Sequence, residues 1–251
     1  MRFDHAAFLC VSVLCLYTAN PLHAETSSPC RIDTQENHSF VVCEFDLRHY
    51  ELKLFWKKPD GEVYGSLQNI PHGNQSNNGS LVFATNGGMY RPDRSPVGLY
   101  IENGRELQGV VTASGSGNFY VKPNGIFFVG GNTAGILETS RFLQLHPRVE
   151  NATQSGPMLV IGGRIHPKFL SSSTSEKIRN GVGIADTKKV VFAISNEPVT
   201  FMQFATYFRD QLHCSDALYL DGSISSIYAP SVQRTDYFWP LGPIVAVYAR
   251  D

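Results

Sequence analysis

The chain has 251 residues, a formal net charge of −1 and 42% hydrophobic residues. Acidic and basic residues are interspersed, and there is no Lys/Arg run of the kind that follows a phosphate backbone. Nucleic acid is therefore not an expected partner. The length favours one large folded domain after an N-terminal leader.

Residues 1–24 have the layout of a signal peptide. An apolar run at 6–19 follows a short polar head and precedes a helix-breaking Asn-Pro pair. The run is shorter than the roughly 20 apolar residues that a transmembrane helix needs. We expect a mature chain that begins near Glu25, is exported to the periplasm or the cell exterior, and is not inserted in the membrane. An uncleaved anchor remains the alternative, because Asp4 offsets the charge of Arg2.

Three cysteines follow this leader: Cys30, Cys43 and Cys214. Export would allow a disulfide to persist, and Cys30 with Cys43 is the natural pair. The alternative is that all three are reduced. Cys214 is predicted to be a packed thiol, because no Cys-His signature surrounds it.

Short β-branched or aromatic segments, bounded by Gly, Pro, Asn and Ser, predict a strand-rich core. Nine strands are predicted, at 40–45, 52–56, 81–84, 98–101, 125–129, 158–161, 190–194, 217–220 and 244–248. Helical periodicity predicts a helix at 200–212, with Thr200 and Gln203 as a capping box, and a second helix at 139–145. The predicted fold class is therefore α+β: a single domain with a mixed, strand-rich sheet core and one or two packed helices.

Residues 25–80 form the N-terminal part of this domain and include a polar, turn-rich loop at 74–80, which we expect to be mobile. The chemistry-bearing segments lie in 81–251. Four of them combine Gly with short polar residues after an apolar run: TNGGMY at 85–90, ATQSGPML at 152–159, IRNGVGI at 178–184 and YLDGSISS at 219–226. Each is typical of a strand that ends in a tight turn, and each alone is an ordinary turn signal.

Taken in order, the four segments resemble the phosphodiester glycosidase family over about 81–249. The resemblance implies hydrolysis at an anomeric carbon whose leaving group is a phosphodiester, within a mixed α+β domain. Many relatives read LDGGGS where this chain reads LDGSIS at 220–225, a form similar to a bacterial branch of the family. On the motif matches, the resemblance implies a site lined by Asn86, Gly87, Gly88, Ser155, Gly156, Arg179, Gly181, Glu197, Asp221, Gly222 and Ser223.

The chemistry assigns roles to these residues. An oxocarbenium-like transition state needs a carboxylate, so Asp221 is the predicted base or nucleophile and Glu197 its partner carboxylate. Arg179 is the predicted phosphate clamp, because the leaving group carries negative charge. Asn86 and Ser155 are predicted to hydrogen-bond sugar hydroxyls or phosphate oxygens.

Simpler interpretations stay open beside these roles. Asp221 could be only an Asx-turn residue, Glu197 a loop acid near a helix N-terminus, and Arg179 a surface cation. Asp186 and Asp216 are expected to be structural.

The expected partner is a glycan or sugar-phosphate substrate, and no cofactor is expected. His146, His166 and His213 do not lie at a metal-binding spacing from another His or a Cys, so a zinc site is not expected. A structural calcium ion is an open alternative, although no EF-hand-type loop is present. A non-catalytic glycan-binding or cell-envelope module on the same fold is the main alternative function. A serine hydrolase using Ser155 or Ser223 is disfavoured, because neither serine lies in Gly-x-Ser-x-Gly.

Overall fold

A computed structural model describes residues 28–73, 79–222, 224–237 and 240–250, together with Met1. The predicted signal peptide, residues 74–78 of the polar loop and Ser223 lie outside these ranges. None of the helices in the described ranges is long and apolar enough to cross a membrane.

Seventeen strands and two α-helices make up the described fold. The strands are β1 Cys30–Gln35, β2 His38–Asp46, β3 Tyr50–Phe55, β4 Leu81–Asn86, β5 Tyr100–Glu102, β6 Arg105–Gln108, β7 Gly125–Gly130, β8 Thr133–Glu138, β9 Asn151–Ser155, β10 Met158–Ile161, β11 Arg164–Ile165, β12 Asn180–Asp186, β13 Lys189–Ser195, β14 Asp216–Tyr219, β15 Ile227–Ala229, β16 Arg234–Thr235 and β17 Ile244–Ala249. The helices are α1 Thr139–Leu145 and α2 Phe201–Thr206, and α2 continues as a π-helical turn, Tyr207–Gln211. Short 3-10 turns lie at Asn118–Tyr120 and Pro230–Val232.

The strands form three antiparallel sheets. The seven-stranded sheet has the order β1-β2-β13-β12-β14-β10-β11, and the two five-stranded sheets have the orders β16-β15-β4-β17-β3 and β6-β5-β9-β7-β8. The strand-rich, single-domain α+β fold predicted from the sequence is confirmed.

The main core lies where the three sheets meet. Phe45 and Phe192 come from the seven-stranded sheet, Phe83 from one five-stranded sheet and Phe127 from the other, and all four are buried. The ring centroids are 4.9 Å apart for Phe83 and Phe192, and 6.1 Å apart for Phe127 and Phe192. Aromatic pairs at these separations add to the stability gained by burial, so this cluster ties the sheets together.

Helix α2 packs on the seven-stranded sheet as its aromatic pattern predicts. The capping box is present: Thr200 Oγ1 accepts a hydrogen bond from Gln203 N at 3.2 Å, and Gln203 Oε1 accepts one from Thr200 N at 2.8 Å. Phe208, in the π-helical turn, packs against β12, where a Cβ on Gly183 would lie 2.8 Å from the Phe208 ring. The glycine of this strand therefore makes room for the helix.

The predicted disulfide is present. Cys30 and Cys43 face each other across β1 and β2 and are bonded, while Cys214 is free and buried. The bond attaches the edge strand β1 to the sheet.

Candidate functional site

Asp221 lies just beyond the end of a strand of the seven-stranded sheet, two residues after β14. Strand β14 runs between β12 and β10, and after the buried Leu220 the chain leaves the sheet. There Asp221 lines a cavity of about 370 Å³, with residues 89–91, Val97 and the loop 116–120 as the other walls. It is the one predicted site residue, among those that the structure describes, that lines this cavity.

Two buried asparagines hold the backbone of Asp221. Asn180 Oδ1 accepts a hydrogen bond from Asp221 N at 3.0 Å, and Asn86 Nδ2 donates to the Asp221 carbonyl at 3.2 Å. The two amides also bond each other, from Asn180 Nδ2 to Asn86 Oδ1 at 2.8 Å. Because both backbone groups of Asp221 are bonded to buried side chains, the backbone from which its carboxylate extends is held in place.

Ser155 supports the residue before Asp221. Its Oγ is buried and donates to the carbonyl of Leu220 at 2.8 Å. Asn86 and Ser155 thus have protein partners in this structure, and their predicted contacts with sugar or phosphate stay a prediction. The burial of Ser155 also gives no support to a nucleophilic role.

Gly222 follows Asp221 and is closely packed. Its backbone N–H donates to the hydroxyl of Tyr219. A Cβ at Gly222 would lie 2.2 Å from that hydroxyl oxygen and 2.6 Å from the carbonyl oxygen of Ile178, so the close approach requires glycine. Burial, followed by the charge of Asp221, raises the pKa of Tyr219 to about 12.

Arg179 is neither a surface cation nor a wall of the cavity. Only 2% of it is exposed. Its Nε donates to the Val199 carbonyl at 2.8 Å and its Nη2 to the Ser175 carbonyl at 2.9 Å, while its Cζ lies 3.7 Å from the ring centroid of Phe201. Burial lowers the pKa of Arg179, and the neighbouring Tyr219 raises it. The predicted clamp is thus buried beside the site.

Glu197 bonds a residue of β2 and does not line the Asp221 cavity. It is exposed, is absent from the cavity walls, and accepts hydrogen bonds from Ser39 N at 2.7 Å and Ser39 Oγ at 3.0 Å. The hydrogen bond from the Ser39 backbone lowers the pKa of Glu197. A general acid needs a raised pKa, so this position matches the alternative of a loop acid.

The remaining predicted glycines are packing positions rather than cavity walls. A Cβ at each would fall within 3.2 Å of a neighbouring residue: Pro243 for Gly87, Thr153 and Gln154 for Gly88, Asn124 for Gly156, and Leu218 for Gly181. They let the strands beneath the cavity approach each other.

Most of the cavity wall lies outside the site residues predicted from the sequence. Tyr90 and Arg91 directly follow the NGGM letters and could have been found there, whereas the loop 116–120 carries no distinctive pattern. Tyr90 donates its hydroxyl to the Pro240 carbonyl, and burial, followed by the charge of Asp221, raises its pKa to about 12. Asn180 was also missed, although it stands within the IRNGVGI segment.

Asp186 and Asp216 have structural partners, as expected. Asp186 Oδ1 accepts a hydrogen bond from Lys188 N at 2.7 Å, and Asp216 Oδ1 accepts one from Gly162 N at 3.0 Å. Within the described ranges, no group of three or more His, Cys, Asp or Glu residues is placed to hold a metal ion.

A larger cavity, of about 420 Å³, lies beside β1 and β2. Its walls include Arg31 and Glu44, which pair with each other, and Asp46, which pairs with Arg48. None of the four motif segments reaches it. The smaller cavity is the better candidate because Asp221 lines it and the backbone of Asp221 is bonded to buried side chains.

A family model and a relative in the bacterium Escherichia coli each match most of this chain. The model of the phosphodiester glycosidase family (NAGPA) matches residues 79–247, which include all four motif segments. A protein of Escherichia coli (strain K12), "Uncharacterized protein YigE", is 40% identical over 177 residues, which are 70% of this chain and 69% of that protein.

A solved structure has a similar fold. The zebrafish N-acetylglucosamine-1-phosphodiester alpha-N-acetylglucosaminidase catalytic domain, auto-inhibited by its pro-peptide, matches with a TM-score of 0.54 and 13% identity, covering 88% of this chain and 81% of that chain. At this identity the likeness concerns the fold alone.

Proposed function

This chain belongs to the phosphodiester glycosidase family, and on that premise we propose that it is an exported hydrolase that cleaves a sugar-1-phosphodiester between the anomeric carbon and the phosphate. Family membership supports a glycosidase-type hydrolase. The specific proposal rests on the position of Asp221. This residue lines a cavity, and Asn180 and Asn86 hold its backbone by hydrogen bonds. The disulfide and the leader-like N-terminus support export.

Asp221 acts on the anomeric carbon in this proposal. A carboxylate beside that carbon stabilises the developing oxocarbenium ion, as a nucleophile or as the base that activates water. Because the Asp221 backbone is already fixed, little reorganisation accompanies the reaction. The leaving phosphate is a weak base, so it departs without a strong proton donor, and one carboxylate suffices.

Arg91 is the cation that we assign to the phosphate. Its side chain is exposed at the cavity wall and donates to the carbonyls of Pro96 and Val97, the latter at 3.0 Å. A guanidinium has five N–H donors, so others remain for phosphate oxygens. Arg179, by contrast, is 2% exposed and does not line the cavity. We therefore place it in support of the site.

Glu197 offers a matched control for Asp221. Both are predicted carboxylates, and both can be changed to the isosteric amide. The full mature region, 25–251, would be assayed for release of free sugar from UDP-N-acetylglucosamine and related sugar-1-phosphodiesters.

Asp221→Asn should lower turnover by roughly 10²-fold or more, the scale of a lost catalytic acid or base, whereas Glu197→Gln should stay within about twofold of wild type. Wild-type protein that binds glycans but releases no sugar from any phosphodiester would favour the non-catalytic module. Full activity in Asp221→Asn would move the chemistry to another group.

A further inference from the structure

Tyr219 is the last residue of β14 and stands two positions before Asp221. It is 2% exposed, and its ring packs edge-on against Phe201 with the centroids 4.9 Å apart. A buried phenol hydroxyl needs a hydrogen-bond partner. Here the hydroxyl accepts the backbone N–H of Gly222, on the far side of Asp221.

Arg179 lies beside the ring of Tyr219. Its Cζ lies 5.6 Å from the Tyr219 ring centroid and 3.7 Å from that of Phe201, against which Tyr219 packs. The guanidinium is itself held by the carbonyls of Val199 and Ser175. Tyr219 therefore has little freedom to turn away from Gly222.

Three successive backbone groups around Asp221 are then bonded to three different buried side chains. Asn180 accepts the N–H of Asp221, Asn86 donates to its carbonyl, and Tyr219 accepts the N–H of the next residue, Gly222. We infer that Tyr219 is a positioning residue: its hydroxyl fixes the turn that aims the Asp221 carboxylate into the cavity. This inference rests on the proposed function.

Tyr219→Phe tests this role because it removes the hydroxyl and keeps the ring. Tyr248→Phe is the matched control: Tyr248 is 1% exposed, lies in β17, and donates its hydroxyl to the Pro71 carbonyl at 2.7 Å. Both variants should lose a similar, small part of their thermal stability. Only Tyr219→Phe should lower kcat for sugar release, by about tenfold to a hundredfold with KM nearly unchanged, because a displaced reacting group affects the transition state more than binding.

A second readout does not depend on the substrate. Amide hydrogen exchange of Gly222, followed by NMR in the intact protein, should speed up by about tenfold or more in Tyr219→Phe and stay unchanged in Tyr248→Phe. Unchanged exchange, or wild-type kcat in Tyr219→Phe while Asp221→Asn is inactive, would overturn the inference alone. Absence of turnover in the wild type would instead count against the proposed function, with the exchange experiment still deciding the role of Tyr219.

Discussion

Asp221 and Glu197 both follow strands of the seven-stranded sheet, yet their surroundings differ. Asp221 comes after β14, has its backbone bonded by two buried asparagines, and lines a cavity. Glu197 comes after β13, is exposed, and bonds Ser39 of β2. Position at the end of a strand is common to both, so it does not by itself make a carboxylate a site.

The difference comes from the neighbouring strands. Strand β12 brings Asn180 beside the end of β14, and β4 brings Asn86 from another sheet. Beside Glu197 the partner is Ser39, a half-buried serine of β2. Buried amides that reach across from other elements distinguish the candidate catalytic end from the ordinary one, and four changes test this comparison.

The largest expected effect is on stability, and it comes from the β1–β2 hairpin, which carries Ser39, the partner of Glu197. Replacing Cys30 and Cys43 by serine opens a disulfide between positions 13 residues apart, in the hairpin that carries Ser39. The free energy of unfolding should fall by about 3 kcal/mol on the chain-entropy model, as measured by urea denaturation. Sugar release by the folded variant should stay within about twofold of wild type. A tenfold loss would show that the two regions are coupled.

The next largest effect is expected from Asn180→Ala, which changes the surroundings of Asp221. It leaves the N–H of Asp221 without its buried acceptor and removes the amide that donates to Asn86 Oδ1, which should cost about 1–3 kcal/mol of stability and lower kcat by about tenfold. Asn196→Ala is the control beside Glu197. Asn196 is exposed and donates to Ser39 Oγ at 2.9 Å, so its loss should cost within about 0.5 kcal/mol. Equal effects from the two variants would contradict the comparison.

Glu102→Gln asks whether burial alone makes a carboxylate catalytic. Burial raises the pKa of Glu102, although a hydrogen bond from the Tyr100 hydroxyl, at 2.7 Å, lowers it in part. The pKa of Glu102 in the folded protein therefore exceeds the unfolded value of about 4.3. Its contribution to the free energy of unfolding is complete below that pH and is lost as pH rises through the folded pKa.

Thermal melts at pH 4 and pH 7 should therefore show wild type losing stability relative to Glu102→Gln as pH rises. Glu102 does not line the Asp221 cavity, so sugar release should not change. A loss of activity in Glu102→Gln would mean that a carboxylate can be functional through burial alone, without the asparagine network that holds Asp221.

Glu197→Gln should have the smallest effect and the opposite pH dependence. The hydrogen bond from the Ser39 backbone lowers the pKa of Glu197, so its contribution is present above the unfolded value of about 4.3 and is lost as pH falls through the folded pKa. The small difference in melting temperature between wild type and variant should therefore close on acidification. A gap that widened at low pH would exclude this hydrogen bond as its source.

The sequence predicted those parts of the fold in which local pattern and packing agree. All nine predicted strands are present, and the shorter helix has the predicted bounds, 139–145. The longer helix was predicted to Leu212 and changes to π-helical turns after Thr206. Apolar periodicity does not separate these two helix types.

Strand β9, Asn151–Ser155, could not be recognised from its composition. Its letters, NATQS, are typical of a turn, yet all five residues are buried in the middle of a five-stranded sheet. Gln154 and Ser155 are tolerated because their side chains are bonded: Gln154 Oε1 accepts from Leu99 N and Val111 N, and Ser155 Oγ donates to the Leu220 carbonyl. Those partners are distant in sequence, so no local pattern reveals them.

The site was predictable only in part for the same reason. The motif order led to Asp221, which lines the cavity, but also to Glu197, which does not. Residues 116–120 complete the cavity through a loop whose position depends on the whole fold. Whether a motif residue contacts solvent or supports another residue, as with Arg179, is set by tertiary packing.

The place of β17 has a consequence for biosynthesis. Ile244–Ala249 lies between β3 and β4, which are made much earlier. At about 5–20 residues per second, a ribosome needs on the order of ten seconds after β4 to deliver this strand. During that interval apolar side chains such as Leu54 and Phe83 lack their native neighbour and are open to chaperones. The sheet therefore cannot close before the C-terminal segment that fills its middle has emerged.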